Sequence, residues 1–199
     1  MKNLKNINSK IGILGLGVLG SAIAHCFIQK QIKIYGYDIS NKFYKKLNRN
    51  FFVPVKNLNN FYSKCDIVIT CLSSEESLIE VTKSIKSKLL VIETSTLPLE
   101  CKKIVKKQLD KRKISIVDAP LSGNRLAALD GKLSSYLSGS LKDKKIASKY
   151  TNGDLGGWGW EHLTLHAIMV LALYDIKPKI KIPIFYKINN SNELQEWLQ

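Results

Sequence analysis

The chain has 199 residues, 31 Lys+Arg against 16 Asp+Glu for a formal net charge of +15, and is 45% hydrophobic and 24% charged. That apolar share supports a core and excludes a disordered tail, a collagen-like repeat and a small disulfide scaffold, and the length suits one domain with an appendage. The basic residues other than Arg49, Arg112 and Arg125 are all lysines scattered over polar helix faces, which argues against nucleic acid, whose binders cluster charge and favour Arg.

Met1 to Lys10 is polar and reads as a lead into a strand rather than a signal peptide. From Lys10 onward, short apolar runs alternate with amphipathic stretches. The runs at 11–14, 32–37, 66–71, 89–92 and 114–117 are rich in β-branched residues and read as buried strands. Between them, Val18 to Gln31 is apolar on one face, and Ser74 to Ser84 opens with a capping Ser and an acidic first turn. Leu99 to Arg112 starts after Pro98, with lysines toward the end that favours cations. Residues 141–150 read as one more short helix. Strand–helix repetition with continuously apolar strands predicts an α/β fold, a mostly parallel sheet covered on both faces.

Beyond Tyr150 the character changes. Gly153, Gly156, Gly157 and Gly159 crowd together, and Trp158, Trp160 and Trp197 all lie past this point. The expected division is a domain at 1–150 and a segment of different character at 151–199. Leu163 to Ile176 is nearly apolar all round, which demands burial, but it contains His166 and is too short to span a membrane comfortably. Cys26, Cys65, Cys71 and Cys101 show neither metal-ligand spacing nor a disulfide framework. The expectation is a cytoplasmic chain with no metal and no membrane partner.

The sharpest local signal is Gly15-Leu16-Gly17-Val18-Leu19-Gly20, between the first strand and the first helix. Gly15 makes the tight turn, Gly17 lets backbone approach a pyrophosphate, and Gly20 lets helix and sheet pack closely. The helix N-terminus adds unpaired N–H groups and the positive end of its dipole. Asp38 ends the second strand about 20 residues further on, where a carboxylate accepts ribose hydroxyls and repels a 2′-phosphate. That favours NAD over NADP, tempered by Lys42; the competing reading of Asp38 is a cap for the segment after Ser40. The loops after the later strands, at 71–74, 93–96 and 118–123, are small and polar. They gather at the carboxyl ends of parallel strands, where ligands bind in such sheets.

Three segments, IGILGLGVLGSAIA (11–24), ETSTLPLE (93–100) and DAPLSGNRLAALDGKLSSYLSG (118–139), resemble the 3-hydroxyisobutyrate dehydrogenase group of β-hydroxyacid dehydrogenases, relatives of 6-phosphogluconate dehydrogenase. The resemblance covers about residues 10–140. It implies a Rossmann-type doubly wound domain and NAD(P)-dependent hydride transfer involving a small 3-hydroxy acid. Gly15 to Gly20 would hold the pyrophosphate and Asp38 the ribose. Leu72 and Ser73 would border the cofactor, and Thr96 would lie by the nicotinamide ribose. Ser122 and Gly123 would hold the substrate carboxylate, joined by Asn124 where the family has Gly.

The family's catalytic lysine follows a glycine turn on a long helix. Its slot here falls near Leu163 or Leu171, neither a lysine. Lys177 and Lys179 flank Pro178, and Lys187 with Asn189 and Asn190 has the wrong spacing. His162 and His166, one helical turn apart, could substitute as proton carriers, but the reading as two histidines on a partly exposed helix face is the favoured one. In place of the family's helical domain, which also builds its dimer, the chain has a short atypical segment, as a truncated or frameshifted dehydrogenase would. The alternatives to an active dehydrogenase are a non-catalytic NAD(P)-binding protein and an imine-type reductase of the same superfamily.

Overall fold

A computed structural model describes residues 8–40, 42, 47–122, 125–130, 133–151 and 153–154. The chain divides into two units, Met1–Gly156 and Gly157–Gln199. The second lies outside the described residues, and with it the Gly156–Gly159 cluster, His162, His166 and the three tryptophans.

In chain order the elements are β1 (Ile11–Leu14), α1 (Val18–Gln29), β2 (Ile34–Tyr37), β3 (Phe52–Pro54), α2 (Leu58–Ser63), β4 (Ile67–Thr70), α3 (Glu75–Lys83), β5 (Leu90–Glu93), α4 (Leu99–Asp110) and β6 (Ser115–Asp118). There follow β7 (Leu121–Ser122), α5 (Arg125–Leu129), β8 (Ser134–Tyr136), α6 (Leu141–Thr151) and β9 (Gly153–Asp154). The first six strands form one sheet in the order β3-β2-β1-β4-β5-β6, every pair parallel. This is the doubly wound dinucleotide-binding order, with its reversal between β1 and β4.

Alternation along the strands fills two cores. Ile11, Ile13, Ile67, Ile69 and Ile92 pack with Ala24 and Phe27 of α1, Ala128 of α5 and Tyr150 of α6. Val68 and Val91 face the other way, onto Phe61 and Tyr62 of α2, Leu78 of α3 and Val105 and Leu109 of α4. A parallel sheet reads as continuous apolar runs because both faces are covered. The caps follow the sequence: Ser74 Oγ accepts the Ser77 N–H at 3.2 Å, with Glu75 and Glu76 in the first turn of α3. Arg112, just beyond α4, donates to the carbonyls of Thr82, Lys83 and Ile85, closing the C-terminal end of α3.

Two features go beyond the sequence reading. The segment 50–64 contains an edge strand and a short helix, β3 and α2. A second sheet, β7-β8-β9, follows the sixth strand, joined to it by the Asp118–Ser138 bridge. Cys26 donates from Sγ to the Ala128 carbonyl at 2.7 Å, fastening α5 to α1.

Candidate functional site

The strand register sets up the site. Tyr37, Leu14, Thr70, Glu93 and Asp118 form one row across the sheet, from β2 to β6. The residues just past that row extend it by backbone bonds: Gly15 N to Tyr37 O, Cys71 N to Leu14 O, Thr94 N to Thr70 O and Ala119 N to Glu93 O. The glycine turn, Asp38 and the three polar loops therefore leave one edge of the sheet together.

At the turn, Gly15 has φ +90°, and a Cβ there would collide with the Cys71 carbonyl. A Cβ on Gly20 would collide with the Gly15 carbonyl oxygen, so helix and turn touch backbone to backbone. At Gly17 an added Cβ meets nothing within 4 Å; the space above it is open. Gly17 is also the N-cap of α1 and carries no side-chain cap. The first N–H groups of the helix thus receive no cap from the Gly17 side, and the backbone there is open to approach, a donor set that suits a pyrophosphate. Leu16 is buried, Leu19 half-buried, and Val18 exposed at 57%.

Asp38, half-buried, uses its carboxylate on backbone: Oδ2 accepts the Leu16 N–H at 2.5 Å and Oδ1 the Ser40 N–H at 2.7 Å. The Ser40 contact is the local turn that the capping alternative anticipates. The Leu16 contact links the second strand's end to the glycine turn. Each carboxylate oxygen has two lone pairs, so ribose hydroxyls fit the same group.

Ser73 and Thr96 are exposed and Leu72 is half-buried, in the loops after β4 and β5. These loops are tied together: Ser95 Oγ accepts the Leu72 N–H at 2.9 Å, and Thr94 Oγ1 donates to the Thr70 carbonyl at 2.7 Å. Ser122 pairs through its backbone with Ser134 in the second sheet. Gly123 and Asn124 lie outside the described residues.

Beneath the loops lies a group that composition conceals. Lys102 of α4 is 9% exposed, its Nζ 2.9 Å from Glu93 Oε2, 2.5 Å from Asp118 Oδ1 and 2.7 Å from the Ser95 carbonyl. Glu93 is 1% exposed, and its Oε1 accepts the Ser95 N–H at 2.8 Å. One ammonium thus faces two carboxylates. Burial raises the Glu93 and Asp118 carboxyls, with Lys102's attraction opposing. Burial acts to lower Lys102, but Glu93 and Asp118 together outweigh it and raise it. The signal was present in the sequence. Lys102, Val105 and Leu109 fall at helical spacing on the buried stripe of α4, and Glu93 ends a strand otherwise wholly apolar.

Burial also raises the Cys71 thiol beside the glycine turn, to about 11, so it is not a thiolate near neutrality. Among the described residues no group of His, Cys, Asp and Glu is placed to hold a metal ion, and no helix is long and apolar enough to cross a membrane.

Residues 10–150 match the family model described as the NAD binding domain of 6-phosphogluconate dehydrogenase. The chain is 27% identical over 153 residues to mitochondrial 3-hydroxyisobutyrate dehydrogenase of Rattus norvegicus, covering 73% of this chain and 45% of that protein. Among solved structures, Mycobacterium tuberculosis 3-hydroxyisobutyrate dehydrogenase with L-serine is similar with a TM-score of 0.72 at 19% identity, over 83% of this chain and 61% of that one. Streptomyces aurantiacus imine reductase is similar with a TM-score of 0.69 at 13% identity, over 83% and 63%. At those identities the likeness is one of fold. The chain spans about half the length of the curated relatives it matches.

Proposed function

The chain belongs to the family of NAD binding domains of the 6-phosphogluconate dehydrogenase type, matched over residues 10–150, and from that premise we propose an NAD-dependent oxidoreductase that passes hydride between the cofactor and a small 3-hydroxy acid. The observation that carries this reading is the bare, uncapped start of α1 at Gly17, at the reversal of strand order, with Asp38 fastened to the same turn. Val18, Leu19 and Gly20 offer N–H groups to the pyrophosphate, and Asp38 takes the adenosine ribose. Leu72, Ser73 and Thr96, in the loops after β4 and β5, would border the nicotinamide half.

The nicotinamide supplies the hydride chemistry when bound. Ser122, Gly123 and Asn124 hold the substrate carboxylate, the hydroxyl and backbone N–H of Ser122 and Gly123 donating to it. Asp38 disfavours a 2′-phosphate by charge, hence NAD rather than NADP.

A second reading, a nicotinamide-dinucleotide binder without turnover, is favoured by the leucines at 163 and 171 where the resemblance calls for the catalytic lysine. A positioned proton carrier is worth about 10²–10⁴-fold in such a reaction. Titration of the chain with NADH and NADPH, followed by turnover with 3-hydroxyisobutyrate and with a cyclic imine, tests both readings. The dehydrogenase reading expects NADH to bind more tightly than NADPH, and turnover of the hydroxy acid that falls in Ser122→Ala. Binding without turnover selects the second reading, and imine reduction alone assigns the reductase. Failure to bind either cofactor at millimolar concentration overturns all three.

A further inference from the structure

We propose that Lys102 is a positioning residue for the nicotinamide half of the cofactor: its ammonium, held between Glu93 and Asp118, sets the spacing of the three strand-end loops that this half crosses. The proposal rests on the cofactor reading above and adds a residue to which the sequence motifs assign no role.

The geometry is a clamp. Glu93 and Asp118 are register partners at the ends of β5 and β6, the last residues of each strand before the polar loops. Lys102 reaches both, at 2.9 and 2.5 Å, and also holds the Ser95 carbonyl at 2.7 Å. Ser95 passes the constraint sideways, because its N–H donates to Glu93 Oε1 while its Oγ accepts from the Leu72 N–H. One ammonium therefore connects the start of the Leu72–Ser73 loop, the Ser95–Thr96 loop and the strand that leads through Pro120 to Ser122. Asp118 is further tied by paired backbone bonds to Ser138, which bring the second sheet against the same point.

A cluster this costly needs a reason. A buried carboxylate and ammonium with a second, partly exposed carboxylate recover their desolvation only with good geometry, and apolar replacements are often as stable. Stability alone would be served by an apolar residue at position 102, continuing the stripe of Val105 and Leu109. What an apolar side chain cannot do is tie two strand ends and the Ser95 carbonyl together through hydrogen bonds and an ion pair, with Ser95 passing the link on to Leu72. The clamp sits under β5 and β6, whereas Asp38 and the glycine turn belong to β2 and β1. Its loss should therefore act on one half of the dinucleotide and spare the other.

The test compares NADH with ADP, which engages only Asp38 and the glycine turn, by titration at a temperature where circular dichroism shows each variant folded. In Lys102→Met the dissociation constant for NADH should rise about tenfold or more, with that for ADP within about twofold of wild type, while Lys102→Arg recovers part of the loss. Should Lys102→Met fail to fold, the triple variant Lys102→Met, Glu93→Gln, Asp118→Asn removes the uncompensated charge and must show the same selective loss. Equal weakening of NADH and ADP, or NADH binding in the triple variant as tight as wild type, overturns the proposal and leaves the cofactor reading intact. A wild-type chain that binds neither probe overturns that reading, and the proposal falls with it.

Discussion

Asp38 Oδ2 lies 2.5 Å from the backbone nitrogen of Leu16, so the end of β2 holds the turn after β1 from the side. A charged acceptor on a backbone N–H is among the stronger hydrogen bonds in a protein. Asp38 thus has two tasks, shaping the turn and presenting a carboxylate where the ribose is proposed to lie. Asp38→Ala removes both, at about 1.5–3 kcal/mol for a charged hydrogen bond, or roughly ten- to hundredfold in NADH affinity. Asp38→Asn keeps an acceptor near Leu16 but loses the negative charge, so NADPH should gain relative to NADH. Parallel fluorescence titrations check both; an unchanged NADH to NADPH ratio in Asp38→Asn would show that this carboxylate does not select the cofactor.

The glycines of the turn separate folding from binding. At Gly20 an added methyl collides with the Gly15 carbonyl, a rigid backbone atom. Gly20→Ala should therefore lose about 1–3 kcal/mol as helix and sheet move apart. At Gly17 an added methyl meets only open space, so Gly17→Ala should unfold within about 1 kcal/mol of wild type yet bind NADH far more weakly. Thermal melts and cofactor titrations of the two variants give the contrast. A Gly17→Ala chain that binds normally would mean that the phosphates do not approach this backbone.

How much of this was legible depended on whether a residue obeyed its local pattern. The glycine turn and the Ser74 cap are legible because each is written in a run of adjacent residues, and Asp38 because it stands at the end of a strand; its bond to Leu16, 22 residues away, is visible only in the fold. The strand β3 was not: Phe52–Pro54 is three residues long and includes a proline, tolerable only because the strand lies at the sheet edge. The helix α2, LNNFYS, is held by its Asn57 cap and by burial of Phe61 and Tyr62 rather than by a long periodic pattern. Lys102 was hidden by its own abundance. In a chain so rich in lysine, one more suggested a solvated face, and only its phase with Val105 and Leu109 sets it apart. Its two carboxylate partners lie on either side of α4 in the chain, at the ends of different strands, so the cluster exists only once the parallel register brings Glu93 beside Asp118. The backbone of Ser122 enters the second sheet, while the neighbouring Gly123 and Asn124 fall outside the described residues.

Arg112 offers a control on the opposite end of the sheet. Its guanidinium closes the end of α3 on three carbonyls, and Nε adds a fourth contact to the Gln108 carbonyl at 3.1 Å. Unpaired carbonyls at a helix C-terminus are satisfied well by a cation. Arg112→Ala should cost about 1–3 kcal/mol, a drop in Tm of about 2–4 °C per kcal/mol at this size. Affinity for NADH should stay within about twofold of wild type, because the end of α3 leads into the start of β5 at Leu90, at the edge opposite the one the binding loops leave. Calorimetry with a cofactor titration tests the pair of outcomes; a large loss of affinity would mean that the two ends of the sheet are coupled.

The Lys102 cluster also makes stability depend on pH in a stated direction. Burial raises the carboxyls of Glu93 and Asp118 above their ordinary values of 4.5 and 3.8. Once the pH passes those values, the unfolded chain has released protons that the folded chain still holds. The folded state then binds more protons, and stability falls as pH rises, at up to about 1.4 kcal/mol per pH unit for each proton. Lys102, raised above 10.5 by its two carboxylates despite burial, acts in the same sense at the alkaline end: its contribution is intact below that value and is lost as pH climbs through the folded value. Glu93→Gln removes the excess negative charge and leaves Lys102 paired with Asp118 alone. Urea unfolding of wild type and Glu93→Gln at pH 5, 6 and 7 should then show the wild type losing ground to the variant as the pH rises from the carboxylate range. A stability difference that is flat, or that runs the other way, would mean that the second carboxylate is fully compensated and that the cluster carries no surplus charge.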